Sequence, residues 1–199
     1  MPILEIVQAG HPALRQVART LTPEEIKSCT IQELIKNMQQ TMHAAPGVGL
    51  AAPQIGESLQ LLVIEDKPEY TQNIPPSILA ERERSPTAFQ VIINPSLTIL
   101  DSSQVSFFEG CLSVAGFVSI VPRARAVEVV GLNEHAEPII IQARGWYARI
   151  LQHEVDHLQG NLCIDRAEIR SFMLTENYNY YWKDQSIAET KRKLLNSEV

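Results

Sequence analysis

The pentad His153-Glu154-Val155-Asp156-His157 constrains this chain more than any other stretch. On a helix, side chains four residues apart stand one above the other, with Cβ atoms about 5–6 Å apart. His153 and His157 can then reach one metal ion at about 2.0–2.1 Å. Glu154, directly after the first histidine, need not bind the ion and is placed to exchange a proton with a metal-bound water. H-E-x-x-H also arises by chance, so its surroundings decide. Trp146 to Leu151 lead into it, Leu158 follows, and Gly160 sits where a helix-ending glycine belongs. Tyr147, Leu151, Val155 and Leu158 form one helical stripe; Trp146, Ile150, His153 and His157 form a second. A helix apolar on two faces is buried. Two imidazoles and a carboxylate are costly to bury without partners, so the pattern predicts a metal site inside the fold.

A tetrahedral cation in a catalytic site wants a third protein ligand and an open position. Two cysteines are candidates. Cys163 follows His157 where metzincin proteases carry a third histidine, but Leu162-Cys163-Ile164 reads as core strand. Cys111 lies in Glu109-Gly110-Cys111-Leu112-Ser113, a glycine-containing break in a β region, and is the better candidate on the chain alone. Using Cys163 would make a zinc endopeptidase. Closing the site with a fourth ligand, His43 or Asp156, would make a non-catalytic structural domain, although Asp156 is expected to face a basic group instead.

The 199 residues suit one domain spanning 1–199. A hydrophobic fraction of 45% and a charged fraction of 20% are those of an ordinary globule, and three cysteines argue for a reducing compartment. A formal charge of −6 offers no footprint for nucleic acid or an anionic membrane. No apolar run approaches the roughly 18 residues of a membrane span, and Met1 to Val7 reads as mature chain, not as a targeting peptide.

Capping signatures open helices at Thr22 and Thr30, the second ending near Ala45-Pro46-Gly47. Gly47 to Gly56 is a small-residue loop in which the Gln54 amide could donate to an oxyanion. Leu61–Glu65, Gln90–Asn94, Leu97–Leu100, Val118–Val121, Val127–Leu132 and Pro138–Ala143 read as strands, the last two a hairpin. Residues 66–88, rich in proline, read as a surface insertion without chemistry. Residues 166–199 form a C-terminal extension: Phe172 to Trp182 is expected to lay aromatic rings on the domain, and Lys191-Arg192-Lys193 to be a solvated face of a terminal helix opened by Ser186. The expected fold class is α+β, with antiparallel strands around a central metal-binding helix and N- and C-terminal helices outside.

Gly47-Val-Gly-Leu-Ala-Ala-Pro-Gln-Ile-Gly56, Glu109-Gly-Cys-Leu-Ser113 and Gln152-His-Glu-Val-Asp-His-Leu-Gln-Gly160 resemble, in order, the three motifs of peptide deformylases. The similarity runs from about Ile3 to Asp165. Gly116-Phe117 and Gly145-Trp146 resemble the branch that includes mitochondrial and plastid enzymes, and the Tyr178–Trp182 tail resembles animal mitochondrial members. Leu112 stands where those animal members carry an acidic residue, and bacterial members resemble this chain in having leucine there.

The resemblance implies a hydrolase that removes the N-formyl group from the formyl-methionine of nascent chains, at the ribosome exit. The compartment would be the cytoplasm of a bacterium, or a mitochondrial or plastid matrix. It implies one divalent ion on Cys111, His153 and His157, with Fe2+ native and Zn2+, Ni2+ or Co2+ able to replace it. Metal-bound hydroxide would attack the formyl carbonyl with Glu154 as general acid/base, and Gln54 and the Leu112 N–H would hold the oxyanion. Gly49 and Gly110 would contact the substrate, and Val48, Phe107, Trp146 and Ile150 would line its methionine pocket. Val118 departs from the arginine that many bacterial members use to hold the peptide backbone.

Overall fold

A computed structural model describes residues 2–45 and 47–195 of the chain. Pro46, part of the helix stop expected at 45–47, and residues 1 and 196–199 of the single domain expected over 1–199 lie outside that range.

Strand β1 (Gly49–Ala51) pairs with β2 (Leu61–Asp66), β2 with β3 (Thr87–Gly110), β3 with β4 (Phe117–Leu132) and β4 with β5 (Pro138–Arg144), all antiparallel. A two-residue strand, β6 (Met173–Leu174), adds to the start of β4. Successive side chains on a strand face opposite sides of the sheet, and β2 is apolar on both. Leu62 and Ile64 join the core beneath the pentad helix, while Leu61 and Val63 join the core beneath the N-terminal helix. The sheet is therefore filled from two sides.

On one side lie α1 (Pro23–Ile26) and α2 (Cys29–Ala44), whose Ile31, Ile35, Met38 and Met42 are buried. Thr22 and Glu25 cap α1 reciprocally, as expected. For α2 the cap is Ser28, whose hydroxyl accepts the Ile31 N–H at 3.3 Å, so the helix starts before Thr30. On the other side lies α4 (Gly145–Leu158), with Ala148, Ile150, Leu151 and Leu158 buried. Burying each of its large aliphatic side chains is worth about 1.5–3 kcal/mol. Gly160 ends it at φ +75°, and a Cβ there would press on the Arg15 backbone.

Other expectations change too: within the loop expected over Gly47–Gly56, Gly49–Ala51 is strand β1 and Ala52–Ile55 a 3-10 turn. The segments 90–94 and 97–100 are one strand, not two. Asn94 adopts φ +50° and exchanges two hydrogen bonds with the Leu21 backbone, so Asn94-Pro95 is a bulge inside β3. Likewise 118–121 and 127–132 belong to the single strand β4. Leu162-Cys163-Ile164 is no strand; the chain makes a 3-10 turn over Cys163–Arg166, fixed by the Asp165 carboxylate accepting the Leu162 N–H at 2.7 Å.

The segment between β2 and β3 carries a turn at Pro68–Tyr70 and the short helix α3 (Pro76–Glu81). Past β6, α5 (Thr175–Asn177) runs into a wide turn, Tyr178–Trp182, and then α6 (Ile187–Leu195), where Ser186 accepts the Glu189 N–H. Rings do pack onto the domain at Phe117–Phe172 (4.8 Å) and Phe108–Tyr178 (4.6 Å), while Tyr180 and Tyr181 stay exposed. Lys191 is not merely solvated: its ammonium meets Glu168 at 2.6 Å. No helix of the described residues is long and apolar enough to cross a membrane.

Candidate metal centre

The site is assembled from the end of β3, the residue after it, and one face of α4. The β3 strand delivers Glu109 and Gly110 and stops, so that Cys111 turns towards α4. From α4 come His153, Glu154 and His157. The ligand atoms of Cys111, His153 and His157 lie within 4.8 Å of one another, with Cys111 Sγ 3.4 Å from His157 Nε2. Cys163 contacts Cys111 but stands outside that group. The other proposed extra ligands lie elsewhere: His43 meets Glu65 at 2.5 Å, and Asp156 pairs with Arg123 and Arg166.

The donor set fits a divalent cation. His153 Nδ1 lies 3.0 Å from Glu109 Oε2, which leaves Nε2 free to ligate. One thiolate and two imidazoles suit zinc, iron or nickel better than calcium or magnesium. Contact with Cys163, then burial, pushes the Cys111 thiol well above its ordinary range. Without a cation it is therefore protonated, and a cation that takes the proton's place makes it a thiolate.

The buried charges around this set form one network. Glu109 accepts from Arg123 Nε (3.0 Å) and Nη2 (2.9 Å) and from Arg149 Nη1 (2.5 Å). Burial would raise Glu109, but Arg123 and His153 hold it well below the usual carboxylate range. Burial would lower His153, yet the hydrogen bond to Glu109 and the charge of Glu154 push it up to about 9. For His157, burial and the charge on His153 act together to lower it. Glu154 is raised by burial to about 7, against the pull of His153 and Arg123. Its Oε2 is buried with no hydrogen-bond partner, as is His157 Nδ1.

A cavity of about 710 Å³ opens over this centre. Val48, Gly49, Gln54, Gly110, Cys111 and Leu112 line it on one side. Trp146, Ile150, His153 and Glu154 line it along α4. At Gly49 a Cβ would overlap the Glu154 carboxylate, which would have to move. Gln54 is buried; its Oε1 accepts the Ala51 N–H at 2.8 Å and its Nε2 lies 3.6 Å from Cys111 Sγ. His157 stands in the ligand group with Cys111 and His153, as expected, without lining the cavity. Phe107 is the expected lining residue that is displaced: it meets Trp146 edge to face at 6.2 Å, while its neighbour Phe108 reaches the lining. Alternation along β3 decides which phenylalanine faces in.

The sequence signature of the polypeptide deformylase family matches residues 3–172. The chain belongs to the polypeptide deformylase family. It is 46% identical over 173 residues to peptide deformylase 1A, chloroplastic, of Solanum lycopersicum, covering 87% of this chain and 62% of that protein. It thus spans less than two thirds of the tomato relative. Against peptide deformylase, mitochondrial, of Homo sapiens it is 42% identical over 181 residues, 91% of this chain and 72% of the human protein. The crystal structure of a Met-Ala-Ser-bound class I type b peptide deformylase from Acinetobacter baumannii superposes with a TM-score of 0.74 at 30% identity. That match covers 83% of this chain and 98% of the other. All three deformylase motifs quoted from the sequence meet at the one cavity.

Besides Phe108, the residues of this site not anticipated from the sequence are Arg84, Glu109, Arg123 and Arg149. Glu109 left a trace, an acid beside Gly110-Cys111 in an apolar region, and Arg149 another, a lone cation in the run Trp146–Leu151. Arg84 left none.

Proposed function

We propose that the chain removes the N-formyl group from N-formylmethionyl nascent peptides, working on chains as they leave the ribosome. The compartment would be a bacterial cytoplasm or an organelle matrix. The observation that carries this reading is the meeting of the Cys111–His153–His157 group with a buried, unpartnered Glu154 at one cavity. The Acinetobacter relative's bound Met-Ala-Ser has the form of a deformylated product.

Cys111, His153 and His157 would hold one divalent ion, Fe2+ natively, with Zn2+, Ni2+ or Co2+ as substitutes. Such an ion supplies Lewis-acid chemistry and lowers the pKa of water it binds towards 7. Glu154 does the proton work. Burial raises its carboxyl, to about 7 in the metal-free protein, and its place beside the ligand group suits it to accept a proton from water and return it to the departing amine. Gln54 Nε2 and the Leu112 N–H donate to the carbonyl oxygen as it gains charge; removing one such donor typically costs about 2.7–4 kcal/mol of transition-state stabilisation. Gly49 and Gly110 bring bare backbone against the substrate. Val48, Trp146 and Ile150 receive the methionine side chain, with Phe107 backing Trp146.

The test is to load the protein with Ni2+, which resists oxidation, and measure formate from formyl-Met-Ala-Ser alongside cleavage of casein. Formate without proteolysis is the expected result. Casein cleavage without formate would make the protein a peptidase.

A further inference from the structure

The segment between β2 and β3 looked like surface insertion, yet one of its residues reaches the cavity. Arg84 is among the lining residues and lies with its guanidinium 5.1 Å from the centre of the Trp146 ring. Arg82 approaches the same ring at 5.1 Å. Arg84 is not free to swing. Its Nε and Nη2 donate to Asp66 at 2.8 Å each, and the two side chains are 9% and 1% exposed. A fork-to-fork pair of this kind fixes direction as well as distance.

Between the two arginines, Glu83 is anchored to Arg125 and to Arg144, the latter at 2.8 Å. Glu83 holds φ +47°, in a region that side chains other than glycine enter at a cost. It packs against Gly145 at the start of α4, where any Cβ would overlap it. The turn Arg82–Arg84 is therefore pinned to α4 on one side and to the end of β2 on the other.

We infer that Arg84 is a specificity-determining residue of the proposed deformylase site, which bounds the part of the cavity beside Trp146 and restricts it to a slender, unbranched side chain. The inference rests on the proposed function. A loop wall normally yields to a bulky ligand. This one cannot retreat without breaking a buried ion pair and the stack on Trp146. Methionine threads past it, and an aromatic side chain does not.

Arg84→Ala alone would leave Asp66 buried and unpaired, so the informative variant is Asp66→Asn/Arg84→Ala, with Arg84→Lys as an intermediate that keeps the charge and loses the fork. For each Ni2+-loaded protein, kcat and KM are measured on formyl-Met-Ala-Ser and formyl-Phe-Ala-Ser, and binding of Met-Ala-Ser and Phe-Ala-Ser is measured by calorimetry. In the double variant, KM for the methionine substrate should rise about tenfold with kcat within about threefold. The phenylalanine-to-methionine ratio of kcat/KM should rise about tenfold or more, a range typical of pocket-wall changes. Arg84→Lys, which keeps a cation opposite Asp66 but loses the planar fork, should move the ratio in the same direction by less than the double variant does. A double variant with a lower melting temperature but unmoved ratios in both turnover and binding would overturn the inference and leave the segment a structural brace. No formate from the parent with metal bound would overturn the proposed reaction, and the binding ratios would then judge Arg84 alone.

Discussion

Replacing Glu109 by Gln separates metal positioning from fold stability. Glu109 offers two oxygens to four donors: Arg123 Nε and Nη2, Arg149 Nη1 and His153 Nδ1. Glutamine has nearly the same shape but keeps one acceptor and turns an NH2 group towards two of those donors. The negative charge between Arg123 and Arg149 is lost in a buried place. Breaking a buried ion pair by removing one partner costs about 3–5 kcal/mol. At about 2–4 °C per kcal/mol for a domain of this size, Tm should fall by about 6–20 °C. Separately, His153 loses the acceptor that orients its ring. Changes to such outer partners cost about 10–100-fold in metal affinity, equivalent to about 1.4–2.8 kcal/mol. The assay is Zn2+ competition against a chromophoric chelator at 15 °C, with a melting curve on the same sample. A zinc Kd within about twofold of the parent, alongside the expected fall in Tm, would refute the positioning argument and leave Glu109 a support for the β3–β4–α4 joint alone.

Cys111→Ala should lose stoichiometric metal while Cys163→Ala retains it, read by elemental analysis; the reverse would transfer the third ligand to Cys163. Glu154→Gln should keep its metal and lose about 10²–10⁴-fold in kcat, the usual worth of a positioned acid/base; near-parent turnover would assign the proton to another group. The same variant tests the raised carboxyl. A folded-state pKa of about 7 against an ordinary 4.5 means the folded protein holds the extra proton. That stability is fully present below about pH 4.5, is lost as pH rises through about 7, and is of the order of 3 kcal/mol. Urea midpoints of metal-free protein between those values should therefore fall more steeply for the parent than for Glu154→Gln, and equal slopes would contradict the shift. Gly49→Ala forces a methyl into the Glu154 carboxylate and should cost about 10²-fold in kcat/KM with metal retained; an active Gly49→Ala would show that Glu154 can yield.

What could be read from the chain was local. The α4 stripe, the His153–His157 spacing and the Gly160 stop all lie within one helix, and the helical repeat carries them. Cys111 could be ranked above Cys163 from its neighbours, but the distances that decide between them belong to the fold. The charged shell was illegible for the same reason. Glu109 meets Arg123 only because β3 and β4 pair in one register, and Asp156 reaches Arg123 across the gap between helix and sheet. Asn94-Pro95 looked like a stop because its dihedral and its bonds to Leu21 cannot be seen in sequence. Phe107 and Phe108 exchange places in the expectation because a strand's parity needs its register. Arg84 had no local signal, since Asp66 and Trp146 give it a direction only after β2 and α4 are in place.

The most direct measurement is kcat/KM of the Ni2+-loaded protein on formyl-Met-Ala-Ser and acetyl-Met-Ala-Ser, under argon, with metal content determined on the same sample. Crowding of the metal-facing wall by Gly49, Gln54 and Leu112 predicts turnover of the formyl peptide and about 10–200-fold slower turnover of the acetyl peptide, which carries one more methyl. Equal rates on both, or none on either with one metal bound per chain, would contradict the account.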